Sequence, residues 1–407
     1  MNLLHVWITL PTGETAALGQ LAFGDLRTDG TAPTAFRYDP AWLARPDAFP
    51  VNPDPQSLPL DLREFAGSHL GPPLQAFDDA MPDDWGKRLI AAENRLPMTR
   101  QTPYWFLLAV AGGGLGALSF SEQPRQPKRE PTATDLTDLI QAAEDFDAGR
   151  PVEGLRLRRL YAAGATPGGA RPKALVFADG NEWIAKFPSP ARDNGHDVVG
   201  LEAASLVLAG RAGLRVPESK LVELGRRRAF LVRRFDVTPA GGRRHMISLK
   251  TLCAERGGVF ATSYDEPMGA IRRYASDPAD IAGFYRQMVF NAAIGNTDDH
   301  LKNFAMLHDE QGWRLSPAFD LTPDIGRNRE HTLAIGYSRD TPSGSTVIDI
   351  GAHCLGRRAQ ALSIVREVVE AVSGFRPTAE QLGVAAHSIE FFDADIGRRL
   401  ETLRQGL

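Results

Sequence analysis

The sequence predicts an α+β chain: a β-rich N-terminal subdomain, a mixed middle part and a mostly helical C-terminal part. Three observations predict it. Strand-like alternation recurs over residues 3–38, broken by polar, Gly-containing pieces, as in a small antiparallel sheet. From about residue 135 the pattern runs helix, Gly-rich loop, strands, helix, strands, and then mostly helices. Between these regions, Gln123 to Thr134 holds three prolines, mixed charges and almost nothing apolar, which reads as a linker. The expected parts are 1–122, a linker at 123–134, then 135–236 and 237–407.

The first strands are expected at 3–10, 18–23 and 35–38, followed by a Pro-rich loop (Pro46, Pro50, Pro53, Pro55, Pro59). Asp83-Asp84-Trp85-Gly86-Lys87-Arg88 opens a helix with acidic residues at its start. A second helix near 103–111 stops at Gly112-Gly113-Gly114. Gly112-x-Gly114-x-x-Ala117 is similar to a dinucleotide fingerprint, but that motif must follow a strand and open a helix. Here it follows a helix-like run and leads into the strand-like Ala117-Leu118-Ser119-Phe120, so a helix stop and turn is expected.

With 407 residues, 43% hydrophobic and 24% charged, the chain has the composition of a globular protein with room for two or three domains. A net charge of -4 excludes attraction of the whole molecule to nucleic acid or anionic lipid. Arg226-Arg227-Arg228 is a local cluster, read as a solvated turn. Cys253 and Cys354 form no metal-ligand or disulfide pattern and are expected as buried small apolar residues in a reducing compartment. The N-terminal run Leu3 to Leu10 is a strand pattern without a basic lead or cleavage site. No apolar run approaches the roughly 20 residues that span a bilayer. A cytoplasmic protein without membrane contact is expected.

After the linker helix, Gly164-Ala165-Thr166-Pro167-Gly168-Gly169-Ala170-Arg171-Pro172-Lys173 precedes a strand. A Gly-rich loop there lets backbone N–H groups approach phosphates, although many such loops are only turns. Asp179-Gly180-Asn181 makes a tight turn into Glu182-Trp183-Ile184-Ala185-Lys186-Phe187. Lys186 among apolar neighbours needs an anionic partner, or else snorkels at a strand edge. Glu202, in the helical run from Val198 to Leu206, fits a glutamate that orients Lys186; the bland alternative is a solvent-facing acid. Ala229 to Asp236 reads as a buried strand with a polar tail. Phe235 there can pack on a nucleotide base, while an ordinary buried strand explains the apolar part equally well.

The helix expected at 280–293 ends at Gly295, and Asn296-Thr297-Asp298-Asp299-His300-Leu301-Lys302-Asn303 follows at once. Phosphoryl transfer needs an acid to accept the hydroxyl proton, with an amide and a second acid to hold metal ions on the phosphates. Asp298, Asn303 and Asp320 have that order, and the D-x-x-x-x-N spacing matches a protein-kinase catalytic loop. Lys302 is placed to neutralise the transferring phosphoryl. His300 either contacts nucleotide or organises the loop, and Asp299 reads as a solvated acid beside the working one. Residues 303–307 and 313–315 are expected as a hairpin leading to Phe319-Asp320.

With these residues in order, nearly the whole chain resembles the HipA family of bacterial serine/threonine protein kinases, the toxins of HipA–HipB toxin–antitoxin pairs. Phe36-Arg37-Tyr38-Asp39-Pro40 and Pro82-Asp83-Asp84-Trp85-Gly86 look like the family's N-terminal subdomain. Gly168 to Lys173, Lys186, Arg233-Arg234-Phe235-Asp236, Thr297 to Asn303 and Phe319-Asp320 look like its kinase motifs, and T-D-x-H-x-K-N differs from the eukaryotic H-R-D form. The resemblance implies a two-lobed protein-kinase-like fold, ATP and Mg2+. It implies the catalytic role for Asp298, as general base or orienter of the attacking hydroxyl, and metal roles for Asn303 and Asp320. Nucleotide contacts would come from Gly168, Gly169, Ala170, Arg171, Pro172, Lys173, Lys186, Glu202, Arg233, Arg234, Phe235, His300, Leu301, Asn303, Phe319 and Asp320. Thr166 stands where the family often carries an autophosphorylated serine. Also implied are a HipB-like helix-turn-helix antitoxin, DNA bound mainly through it, and a protein substrate such as an aminoacyl-tRNA synthetase whose phosphorylation arrests growth. Two readings compete: a small-molecule phosphotransferase, and a catalytically silent corepressor.

Overall fold

The computed structural model describes residues 2–25, 27–28, 31–68, 71, 74–127, 135–164, 170–254, 262–326 and 328–407, with only the backbone of Gly164. Of the expected linker, 128–134 lies outside the described residues, as do Thr166, Gly168 and Gly169. The chain divides into two compact units. One comprises Met1–Phe187, Arg233–Gly258 and Leu307–Trp313; the other comprises Pro188–Val232, Val259–Met306 and Arg314–Leu407.

The first unit holds an antiparallel five-stranded sheet, in the order Phe65–Ser68, Pro33–Tyr38, Thr15–Phe23, Asn2–Thr9, Leu118–Ser121. Alternation sends Leu4, Val6 and Ile8 into the core, and the pairing steps from Val6–Gly19 to Trp7–Ala17, which leaves Leu18 of the second strand as the extra residue of a bulge. Helix Pro103–Val110 stops before the glycine run, and the chain turns into Leu118–Ser121 as the sequence predicts. A second hairpin pairs Lys173–Ala178 with Asn181–Lys186. Its two-residue turn puts Asp179 at φ 51° and Gly180 at φ 73°, the left-handed pair that suits the twist of a tight hairpin.

In the second unit, helix Ala279–Ile294 is the central buried element, packed against Asp265–Tyr274, Gly344–Leu355, Arg358–Ser373 and Ala386–Arg404. Phe284, Tyr285, Met288, Phe290 and Ile294 are all at most 1% exposed. Helix Gly344–Leu355 approaches so closely that a Cβ on Gly351 would lie 2.5 Å from the Tyr285 hydroxyl. Asp280, in the first turn of the central helix, accepts from the Leu315 amide at 2.8 Å and the Arg314 Nε at 2.9 Å. These bonds fasten the end of the Ala305–Asp309/Gly312–Leu315 hairpin to the helix whose other end carries the loop at 296–303.

Two expectations need correction. Arg228 is not part of a solvated turn: its Nε donates to Asp197 at 3.2 Å and its Nη1 to the Leu382 carbonyl at 2.9 Å. Only Gly225 and Arg226 form the turn; the strand that begins at Arg227 carries Arg228 inward to the Asp197 cap of helix Val198–Arg211. Cys253 is buried, but Cys354 is only half-buried near the end of its helix. No helix among the described residues is long and apolar enough to cross a membrane.

Candidate active site

The central helix ends because Gly295 takes φ 77°, a left-handed conformation open to glycine. The amides of Gly295 and Asn296 both donate to the Asn291 carbonyl, at 3.1 and 3.0 Å. The chain then runs as a loop with Asn296, Thr297 and Asp299 buried and closes in one tight turn, Leu301–Asn303. Leu301 is buried and anchors that turn. Phe304 follows and packs on Phe284 and Tyr264, with ring centroids 5.2 and 6.0 Å away.

This scaffold presents the polar groups. The Asp298 side chain is 76% exposed, with the His300 Nε2 3.8 Å from its Oδ1. Asn303 donates its Nδ2 to the Asp298 carbonyl at 2.8 Å, which fixes the amide plane and leaves Oδ1 as its other polar end. Lys302 is half-buried in the same turn. Phe319 and Asp320 are half-buried, and Asp320 adopts φ 52°, a conformation costly for a residue with a side chain. Its carbonyl accepts from the Asn296 Nδ2 at 3.4 Å. An exposed carboxylate, a fixed amide oxygen and a second carboxylate are oxygen donors of the kind a hard cation takes.

Asp299 departs most from expectation. It is not a solvated acid but is completely buried. Its Oδ2 accepts from the Tyr264 hydroxyl at 2.6 Å and from His331 Nδ1 at 3.0 Å. Its Oδ1 accepts from the Thr332 amide at 2.7 Å and, more weakly, from the Leu333 amide at 3.4 Å. Burial and the neighbouring Asp299 charge push the Tyr264 phenol well above its ordinary range, so it remains a donor. Tyr264, Asn291, Asn296 and His331 escape a reading based on spacing. Asn291, an amide among Met288, Val289 and Ala292, is the one signal the sequence offers.

The first unit carries the other expected contacts. Lys173 and Lys186 lie directly opposite each other across the antiparallel hairpin, on one face. Like charges so placed repel, and an anion on that face relieves the repulsion. Lys173 is 5% exposed. Ala170 and Arg171 are half-buried and Pro172 is buried, with the Pro172 carbonyl accepting from the Phe187 amide at 3.0 Å. Arg233 and Phe235 are half-buried. Arg234 is buried, its guanidinium engaged with Asp236, with Glu182 at 3.1 Å and with the Gly114 carbonyl at 2.9 Å. The Gly116 amide donates to Asp236 at 2.7 Å, so the glycine run serves as a socket for this ion pair. In the second unit, Glu202 is buried on helix Val198–Arg211, not solvent-facing.

An α+β chain with this loop falls in the protein-kinase-like class. Its family follows from comparison with known proteins. Residues 165–374 match the HipA-like C-terminal domain and residues 15–121 the HipA N-terminal domain, and the chain belongs to the HipA family. It is 24% identical over 365 residues to the serine/threonine-protein kinase toxin HipA of Shewanella oneidensis, covering 78% of this chain and 77% of that protein. It is 26% identical over 338 residues to the Y4mE protein of Sinorhizobium fredii, covering 74% of this chain and 75% of the other. The fold matches a chain of the Shewanella oneidensis MR-1 toxin–antitoxin complex of HipA, HipB and operator DNA. There the TM-score is 0.67 at 17% identity, over 97% of this chain and 96% of that one, and the likeness concerns the fold alone.

Proposed function

We propose that this chain is a toxin of the HipA type, an ATP-dependent serine/threonine protein kinase. The observation that carries this reading is the loop on which Asn303 is locked to the backbone of an exposed Asp298. In this reading an acceptor hydroxyl loses its proton to Asp298 as its oxygen attacks the γ-phosphorus. The bond from phosphorus to the β,γ-bridging oxygen breaks, and ADP leaves with that electron pair. Lys302 offsets charge on the phosphoryl group in transit. Lys173 and Lys186, with Ala170, Arg171 and Pro172 and the glycines at 168 and 169, take the phosphates. Glu202 is assigned to the same nucleotide set. Arg233, Phe235, His300, Leu301 and Phe319 complete the nucleotide contacts, with Arg234 holding its strand in place.

The donor set fits Mg2+, which would be held by Asp320 and the Asn303 Oδ1 and would neutralise the phosphate oxygens. Among the described residues no group of three or more His, Cys, Asp or Glu could hold a metal ion. A Mg2+ shared with substrate phosphates and water does not require one. Thr166 is the proposed autophosphorylation position.

The fold likeness to a HipA–HipB–operator chain supports a HipB-like antitoxin as partner, with DNA reached mainly through it. The proposed target is a translation factor in the cytoplasm, such as an aminoacyl-tRNA synthetase, whose modification arrests growth. Phosphosite mass spectrometry after induction, wild type against Asp298→Ala, tests this. A Ser or Thr site present only with wild type is expected. Growth arrest by Asp298→Ala equal to wild type would remove the kinase reading.

A further inference from the structure

We propose that Asp299 is a positioning residue: through a buried line of hydrogen bonds it sets Asp298 and Asp320 in their working geometry before any ligand arrives. The proposal rests on the kinase reading for its activity arm only.

The line can be followed atom by atom. The Asp299 Oδ2 accepts from the Tyr264 hydroxyl at 2.6 Å. That hydroxyl oxygen accepts in turn from the Asn291 Nδ2 at 3.1 Å. The Asn291 Oδ1 accepts from the Asn296 Nδ2 at 3.1 Å, and Asn296 reaches the Asp320 carbonyl at 3.4 Å. One carboxylate is thus joined through three side chains to the strained backbone of Asp320. Asn291 and Asp299 are 0% exposed and Asn296 is 3% exposed, so water does not compete along the line.

The other side of Asp299 secures the loop itself. Thr332 donates its amide to Asp299 at 2.7 Å, and its hydroxyl donates to the Thr297 carbonyl at 3.0 Å. His331 adds a bond at 3.0 Å through Nδ1, while its buried Nε2 has no hydrogen-bond partner among the described residues. Among the described residues, the polar contact of the His331 ring is with the carboxylate alone. Residues 297 and 299, on either side of Asp298, are both tied to 331–332. With its neighbours held, Asp298 has little backbone freedom although its side chain is open to solvent. A solvated acid at 299 would leave the ties to Tyr264 and His331 unmade, with Thr297 still held by the Thr332 amide at 3.1 Å and hydroxyl at 3.0 Å.

A positioning residue separates from one that only supports the fold by what it moves. Tyr264→Phe keeps the ring packing and deletes one link. His331→Leu deletes a donor, whereas His331→Asn offers an amide N–H near the Nδ1 position. We expect Tyr264→Phe and His331→Leu to lower kcat at least about tenfold with the KM for ATP within about twofold, as when a reacting group is misplaced by a fraction of an ångström. His331→Asn should restore most of the loss. Independently of any activity, the Leu333 amide, which donates to Asp299 at 3.4 Å, should exchange at least about tenfold faster in Asp299→Ser than in wild type, whereas the Thr332 amide keeps the Thr297 carbonyl at 3.1 Å. Unchanged kcat in Tyr264→Phe, or equal activity of His331→Leu and His331→Asn, overturns the proposal. So does a Leu333 amide that exchanges equally slowly in Asp299→Ser. If wild type transfers no phosphate, the kinase reading fails and the amide measurement decides the brace alone.

Discussion

Tyr264 donates its phenol to Asp299 at 2.6 Å beneath the loop, while Asp298, one residue earlier in the chain, holds a carboxylate 76% open to solvent. Two adjacent acids therefore have opposite surroundings. The Asp298 side chain faces solvent and the Asp299 side chain is taken into the core. The buried acid is satisfied by four donors, which makes it a fixed point. The exposed acid is the one free to meet a substrate.

Lys186→Gln should weaken nucleotide binding about tenfold, so that the stabilisation given by ATP falls by about 1.4 kcal/mol. Measured without nucleotide, the variant shows its own stability, to which relief of the repulsion from Lys173 opposite contributes favourably. Thermal unfolding with and without ATP and Mg2+ measures both effects. An unchanged shift with ATP would take Lys186 out of the phosphate site.

Arg234→Met should destabilise the protein by about 3–5 kcal/mol, because it removes the buried cation from Asp236, while Glu182 keeps Arg243 at 2.9 Å. Arg234→Lys should not restore stability, since an ammonium cannot reproduce the fork that reaches Asp236, Glu182 and Gly114 together. Urea unfolding of both variants checks this.

Burial pushes His245 down to about 4, and its Nε2 meets the Val51 carbonyl at 2.9 Å. The unfolded chain, with a histidine near 6.5, binds more protons between these values. Stability is therefore full above about pH 6.5 and falls as pH drops toward 4, by about 3 kcal/mol for this residue. His245→Gln, which keeps a donor toward Val51, should flatten that slope in stability measured from pH 7 to 4. His308, also lowered to about 4 by burial, should retain its own share.

Much of this was legible in the sequence, for physical reasons. The first sheet announced itself by alternation, because one face of each strand is buried. The Asp179-Gly180 turn was legible because few residues tolerate two left-handed positions in succession. The spacing of Asp298 and Asn303 was visible because one tight turn fixes both. Asp299 was misread because its partners lie 32–35 residues away at His331 and Thr332 and at Tyr264, and no local pattern reports such contacts. Arg228 was misread likewise: composition suggested solvent, whereas strand register carried it to Asp197. Glu202 was placed on its helix correctly, but its burial depends on neighbours that periodicity does not identify.

Phosphate transfer at the loop 298–303 is the step on which the proposed function depends. The most direct measurement is incorporation of label from γ-labelled ATP into protein, in a cell lysate with Mg2+, by wild type and by Asp298→Ala matched for thermal stability. Labelling by wild type, reduced at least about a thousandfold in the variant, is expected for loss of a group acting on the reacting hydroxyl. Labelling by the variant at the wild-type rate would contradict the assignment of Asp298 and the account built on it.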